Sequence, residues 1–391
     1  MPHPDTLAVH AGEASDGRPD RPMAPDITVG SASIYPDLEA LEQAMVAHRG
    51  YGRWGTENHR QLEMAVAALE GCGQARPLEG LAVASGMAAI AVALLTEMSA
   101  GDHLVAAHDC YGTTLTFLRD DLSRFGLRHS VVDVQDLDAV KAAIEDRTRF
   151  ILCELGTNPM VRVPDLKALA AIARDAGALL LVDNTVPTPA LCRPLQWGAD
   201  VVVHSATKNL SGHADVIGGL VIGRPAWLEG ARALARTFGP TLGPFDAWLT
   251  LRGLRTLAVR MERHSANALE LARHLQRHSA VRRVFYPALE DSPFFERARQ
   301  LLPDGAGALF SFELEDQGAA NRMVRRLKLA RLMPSLGHVA TTISHPLSTS
   351  HRGLDAAALE RAGISPGLLR CSAGLESIED LVEDFDQALV T

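Results

Sequence analysis

The sequence carries no apolar run long enough to cross a membrane, no internal repeat and no low-complexity segment. Its first residues, Met1-Pro2-His3-Pro4-Asp5, lack the apolar stretch of a secretory leader. It also lacks a basic excess: 38 Lys and Arg stand against 47 Asp and Glu, a formal net charge of −9. That balance favours solubility and argues against nucleic acid or an anionic membrane as the main partner. Cysteine is scarce. The five residues, Cys72, Cys110, Cys153, Cys192 and Cys371, are odd in number and show no CxxC spacing. A disulfide framework or a zinc site is therefore not expected, and the pattern fits reduced thiols in a cytoplasmic protein. What remains is ordinary for a globular chain: 391 residues, 47% apolar and 22% charged, with room for two or three cores.

Residues 1–60 are rich in Pro and Gly, with several aromatics and one short helical patch near 38–48. Such an arm cannot form a core alone and is expected to lie across a partner subunit. Within it, Tyr51-Gly52-Arg53-Trp54-Gly55-Thr56 is either an aromatic turn or an anion clamp made by a phenol and a guanidinium. Residues 61–244 alternate helix and strand. Helices are expected over 61–69, from 86 through 95, after 114 through 123, and over 166–176. Strands are expected over 81–84, 103–107, 150–154, 178–182 and 199–203. This alternation predicts an α/β domain, a mostly parallel sheet with helices on both faces. Residues 245–391 predict one long helix running from 245 towards 275, then a smaller α+β domain. Its strands fall near 281–286 and 308–314, and its helices at 319–327 and 378–390.

In parallel sheets ligands bind at the carboxyl ends of the strands. Ser85, Tyr111, Asn158, Asp183 and Lys208 all fall at or just beyond those ends. Lys208 follows a buried apolar strand and stands in His204-Ser205-Ala206-Thr207-Lys208, between hydroxyl residues. It is either a loop lysine in a polar turn or an amine that condenses with an aldehyde cofactor, which removes the cost of burying an ammonium. Pyridoxal phosphate requires an imine-forming lysine, an acid for the ring nitrogen, a phosphate cup and a flat group to stack on the ring. Lys208, Asp183, the hydroxyl and backbone donors around Ser85-Gly86-Met87 and Ser205, and Tyr111 match those four needs. Arg370 lies in the apolar strand Gly367-Leu368-Leu369-Arg370-Cys371-Ser372-Ala373-Gly374. It is either paired with a neighbouring carboxylate or a fork for the carboxylate of a substrate.

Taken together, these motifs resemble the cystathionine γ-synthase group of pyridoxal-phosphate enzymes, the Cys/Met metabolism family. The most specific match is Asp183-Asn184-Thr185 with His204-Ser205-Ala206-Thr207-Lys208 and Gly212-His213-Ala214-Asp215; the resemblance runs from Tyr51-Gly52-Arg53 to Arg370-Cys371-Ser372-Ala373-Gly374-Leu375-Glu376. It implies the aminotransferase type I fold and pyridoxal 5'-phosphate as cofactor. Lys208 would carry the cofactor and move protons, Asp183 would keep the ring nitrogen protonated, and Tyr111 would stack on the ring and assist the leaving group. Ser85, Gly86, Met87, Ser205 and Thr207 would bind the phosphate, joined by Tyr51 and Arg53 of a neighbouring subunit. Arg370 would take the substrate α-carboxylate, with Asn158 and Ser335. The family pattern further implies an active dimer and a homotetramer of two such dimers.

Departures from the pattern cluster at the substrate end. Glu154-Leu155-Gly156-Thr157 replaces the usual Glu-Ser-Pro, and Thr56-Glu57-Asn58 replaces Asn-Pro-Thr. Thr113 stands where methionine γ-lyases carry a cysteine, and Pro334 precedes Ser335-Leu336-Gly337 where enzymes acting on the γ-carbon of cystathionine often have a glutamate. With Trp54 nearby, the distal pocket would lack charge partners for the second amino-acid end of cystathionine. The leading expectation is γ-elimination or γ-replacement on a methionine- or homoserine-type amino acid, because the stretch from Ser335 to Thr349 looks more like the γ-acting branch. The alternatives are β-elimination of the cystathionine β-lyase kind, to which Tyr51-Gly52-Arg53-Trp54-Gly55-Thr56 is similar, or a biosynthetic γ-substitution on an activated substrate such as S-adenosylmethionine. Retention of Lys208, Asp183, Tyr111 and Arg370 together speaks against a catalytically silent relative.

Overall fold

Short runs of Val, Leu, Ile and Ala, each able to be buried on both faces, supply most of the main sheet of this computed structural model. The structure describes residues 2–13, 22–352, 359–360 and 362–390. The main strands are β1 (Glu79–Val83), β2 (His103–Ala107), β3 (Arg128–Val132), β4 (Thr148–Glu154), β5 (Leu179–Asp183), β6 (Val201–Ser205) and β7 (Gly219–Gly223). They pair in the order β1-β7-β6-β5-β4-β2-β3. The pairs from β3 through β6 are parallel, and β7 runs antiparallel to both β6 and β1. The smaller sheet has the order β10-β11-β12-β9-β8, with β8 (Arg283–Phe285), β9 (Leu309–Glu313), β10 (Arg331–Leu332), β11 (Thr342–Ser344) and β12 (Leu368–Ser372).

Fourteen helices pack around these sheets among the described residues. The first seven are α1 (Pro4–His10), α2 (Leu38–Val46), α3 (Glu57–Glu70), α4 (Gly86–Glu97), α5 (Gly112–Thr116), α6 (Leu137–Ala142) and α7 (Leu166–Asp175). The remainder are α8 (Thr188–Leu191), α9 (Pro225–Phe238), α10 (Pro244–Leu254), α11 (Leu257–Gln276), α12 (Phe295–Leu301), α13 (Gln317–Arg326) and α14 (Ile378–Leu389). α4 packs on β6 and β7, α9 on β1, and α7 on β4 and β5. α4 is almost wholly apolar (Gly-Met-Ala-Ala-Ile-Ala-Val-Ala-Leu-Leu), as a helix pressed between a sheet and α9 must be. No helix among the described residues is long and apolar enough to cross a membrane.

Several expectations need correction. The helix expected from 245 towards 275 is two helices, α10 and α11. The break at Arg255-Thr256 has a side-chain cause: the Gly253 carbonyl is taken by the Arg260 guanidinium at 2.7 Å and the Thr256 hydroxyl at 3.2 Å. The helix expected through 123 is regular only over α5; it continues as a wide π turn over Phe117–Asp121 and a tight 3-10 turn over Leu122–Phe125. The arm holds a second helix, α1, which packs on α3 and α11 of its own chain and buries Ala8. By contrast, 23–46 leaves Met23, Val29, Ile34, Leu38 and Val46 largely exposed.

Candidate active site

β6 and the turn after it set the position of Lys208. Val201, Val202 and Val203 fix the strand in the core, and the Lys208 amide then donates to the Ser205 carbonyl at 3.2 Å, folding the chain back over the strand end. The Lys208 ammonium donates to Ser335 Oγ at 3.0 Å. Burial, then the nearby Arg370 guanidinium, lower its pKa from 10.5 to about 8. A free amine, the form that attacks a carbonyl, is thus available near neutral pH.

Asp183 closes β5 beside it. Its Oδ1 accepts the Thr185 amide at 2.9 Å, and Thr185 Oγ1 in turn accepts the Ser205 amide at 2.8 Å, tying the ends of β5 and β6 together. Burial pushes the Asp183 carboxyl up, so its anion calls for a cationic partner in the cavity. Glu154 pairs with Asp183 in the β4–β5 register and is likewise pushed up, by burial and then by Asp183. Its carboxyl accepts the Tyr111 amide, which seats Tyr111 as the residue capping α5 with its ring half-exposed on the cavity. On the other face of the same strand ends, Glu70 Oε1 receives Asn184 Nδ2 at 3.0 Å and lies 2.8 Å from His204 Nε2. Strand alternation sends these side chains away from the cavity.

The start of α4 forms the wall opposite. Ser85 caps the helix, its Oγ accepting the Ala88 amide at 3.1 Å and its carbonyl the Ala89 amide at 3.0 Å. The Gly86 and Met87 amides are left to the first-turn opening, where the helix dipole favours an anion. A side chain at Gly86 would put its Cβ 2.8 Å from Ser205 Cβ, so only glycine lets helix and strand end meet this closely. Ser205 and Thr207 also line the cavity. The Thr207 hydroxyl is engaged with Gly218, donating to its carbonyl at 3.3 Å and accepting its amide at 3.1 Å. A group with a phosphate, an aldehyde and a protonated ring nitrogen fits this donor set: amides and a hydroxyl at a helix start, a lysine that gives up its proton at about 8, and a buried carboxylate without a cation.

Arg370, central in β12, enters from the smaller sheet. It is 3% exposed, donates through Nη1 to Asn158 Oδ1 at 3.1 Å and through Nη2 to the Ser335 carbonyl at 2.6 Å, and keeps Nε unpartnered. Among the described residues no carboxylate pairs with it. These residues, with Leu336, Thr349 and Ser350, enclose one cavity of about 470 Å³. Tyr51, Arg53, Trp54 and Thr113 are not brought to it. Arg53 and Trp54 line a separate hollow, with the Arg53 guanidinium 5.4 Å from the centre of the Tyr51 ring and donating to the Arg236 carbonyl. Thr113 is exposed on α5. Glu154, Thr185, Thr349 and Ser350 line the cavity without having been singled out from sequence. Glu154 carried a usable signal, a carboxylate at a strand end like Asp183; Thr349 and Ser350 carried none. Among the described residues no group of three or more His, Cys, Asp or Glu could hold a metal ion.

A family model described as Cys/Met metabolism PLP-dependent enzyme matches residues 5–390. Cystathionine beta-lyase MetC of Bacillus subtilis is 43% identical over 340 residues, 87% of this chain and 85% of its own length. L-methionine gamma-lyase of Fusobacterium nucleatum is 40% identical over 396 residues, 98% of this chain and 97% of its own. A crystal structure of a putative O-acetylhomoserine (thiol)-lyase from Campylobacter jejuni superposes with a TM-score of 0.92 at 31% identity, covering 99% of each chain, and holds a pyridoxyl-lysine monophosphate.

Proposed function

Because this chain belongs to the Cys/Met metabolism PLP-dependent enzymes, we propose that it catalyses γ-elimination or γ-replacement on a methionine- or homoserine-type amino acid. Bound pyridoxal phosphate supplies an electron sink for the pair left when the substrate's α-proton departs. The protein does the rest. Arg370 and Asn158 grip the substrate α-carboxylate, the fork exchanging part of its present bonding for a charged partner. The Lys208 amine takes the α-proton and carries protons between the α, β and γ carbons. Asp183 holds the ring nitrogen protonated, Gly86, Met87 and Ser205 bind the phosphate, and the Tyr111 phenol serves the leaving group. Tyr51 and Arg53 complete the phosphate site of a neighbouring subunit; the apolar side chains left exposed over 23–46 suit burial against that neighbour, in a dimer and then a tetramer. A cytoplasmic location goes with this reading.

The carrying observation is that Lys208, Asp183 and an arginine without a carboxylate partner open on one cavity. Its likeness to cystathionine beta-lyase MetC keeps β-elimination as the second reading. The experiment is incubation of the purified protein and pyridoxal phosphate with methionine, cystathionine, an O-acyl homoserine or S-adenosylmethionine, with identification of the keto acid. Release of 2-oxobutanoate supports γ-elimination, pyruvate from cystathionine supports β-elimination, and a spectral change without keto acid supports replacement. In parallel, borohydride should label the chain irreversibly at Lys208, and Lys208→Ala should fold but lose turnover. Normal turnover in that variant would sink the mechanism.

A further inference from the structure

Behind Lys208 lies a histidine that no part of the mechanism above uses. Gly337, at φ +76°, turns the chain so that His338 folds back over Ser335, and the Gly337 amide is pinned to Ser372 Oγ at 3.0 Å. The Val339 amide, two residues on, donates to the Gly212 carbonyl at 3.1 Å, locking this turn onto the loop that carries Lys208. His338 is 5% exposed; its Nε2 lies 2.9 Å from Ser335 Oγ, and its Nδ1 has no partner. The same Ser335 Oγ accepts from Lys208 Nζ at 3.0 Å. Since the lysine can only donate while charged, the hydroxyl hydrogen of Ser335 is free to point at the imidazole.

We propose that His338 is a positioning residue for Lys208: its neutral imidazole accepts the Ser335 hydroxyl through Nε2, so that Ser335 presents an oxygen lone pair to the lysine ε-amine. Protonation of His338 ends this arrangement. Nε2 becomes a donor to Ser335 Oγ, so the imidazolium competes with Lys208 for the oxygen that positions it, and the lysine loses its anchor. The charged groups acting on the imidazole are Lys208 and, from the turn after β6, Asp215; Arg370 holds the neighbouring Ser335 carbonyl. Burial and Lys208 lower the His338 pKa, and Asp215 opposes them without cancelling them. The imidazole is therefore neutral at pH 7, and the productive arrangement is lost only as pH falls below the ordinary histidine value.

The inference rests on Lys208 being the cofactor-bearing amine, which borohydride labelling tests separately. The direct test is side-chain ¹⁵N NMR of the full chain with pyridoxal phosphate bound, His338 being identified by the signals lost in His338→Gln. The expected result at pH 7.5 is a proton on Nδ1 and a hydrogen-bonded, unprotonated Nε2; a proton on Nε2 in a chain that borohydride still labels overturns the inference and leaves the proposed function standing. For kinetics, His338→Gln retains an acceptor that does not titrate, so kcat should stay within about threefold while the acid limb of its pH profile disappears. His338→Leu should lower kcat about tenfold at unchanged KM, the worth of one hydrogen bond. An unaltered acid limb in the first variant and unaltered kcat in the second would also overturn it.

Discussion

Arg260 and Arg370 share a residue type and a degree of burial: each is 3% exposed, and burial lowers the pKa of each from 12.5 to about 10. Their surroundings differ. Arg260, on α11, spends every nitrogen inside the protein: Nη1 donates to the Asn209 carbonyl at 2.7 Å, Nη2 to the Gly253 and Leu210 carbonyls at 2.7 and 3.3 Å, and Nε to Thr256 Oγ1 at 3.1 Å. Arg370 spends two nitrogens, keeps Nε in reserve and opens on the cavity. Burial of a charge is thus no mark of function by itself. A saturated cation is a structural clamp, here joining the Lys208 loop to the α10–α11 break; an unsaturated one beside a cavity awaits an anion.

The sharpest way to break this contrast is to remove each guanidinium in turn. Arg370→Met should cost about a thousandfold in kcat/KM, about 4 kcal/mol of charge-assisted bonding, while the thermal midpoint moves little. Arg260→Met should do the reverse, losing about 3 kcal/mol in denaturant unfolding because the Asn209 and Leu210 carbonyls are left stranded, with kcat/KM of the folded fraction unchanged. If both variants lost stability alike and activity alike, the distinction would fail. The smallest effect concerns Lys208, whose pKa the Arg370 charge helps to lower. The rate of pyridoxal phosphate uptake by the cofactor-free protein should rise with pH and level off above about 8. In Arg370→Met the removal of a positive neighbour stabilises the ammonium, so the midpoint should move up, by about one unit or less. A midpoint that stayed or fell would show that the two side chains do not sense each other.

The cofactor end of the site was legible because its chemistry is local in sequence: Asp183 and Lys208 each follow an apolar strand, and Ser85-Gly86 opens a helix. Glu154 shows its place in the sequence, a carboxylate at a strand end, but not its partner, since that is the amide of Tyr111, 43 residues away. β3 escaped because an edge strand reading Arg-His-Ser-Val-Val has little apolar periodicity, and β7 because nothing in Gly219–Gly223 announces an antiparallel return. The α10–α11 break was invisible because a guanidinium from the next helix causes it. At the substrate end, Thr113 and Trp54 were expected from family pattern; neither lines this cavity, Trp54 facing a separate hollow and Thr113 lying exposed on α5.

Ser335 engages the site twice, through its carbonyl with Arg370 and through its hydroxyl with Lys208. Both contacts belong to one residue on a glycine-tightened turn, which is itself pinned to Ser372 through the Gly337 amide. That single turn is therefore a hub between the two layers of the molecule: it holds a cation of the smaller sheet by its backbone and a cation of the main sheet by its side chain, and a shift of it would disturb both ends of the cavity together.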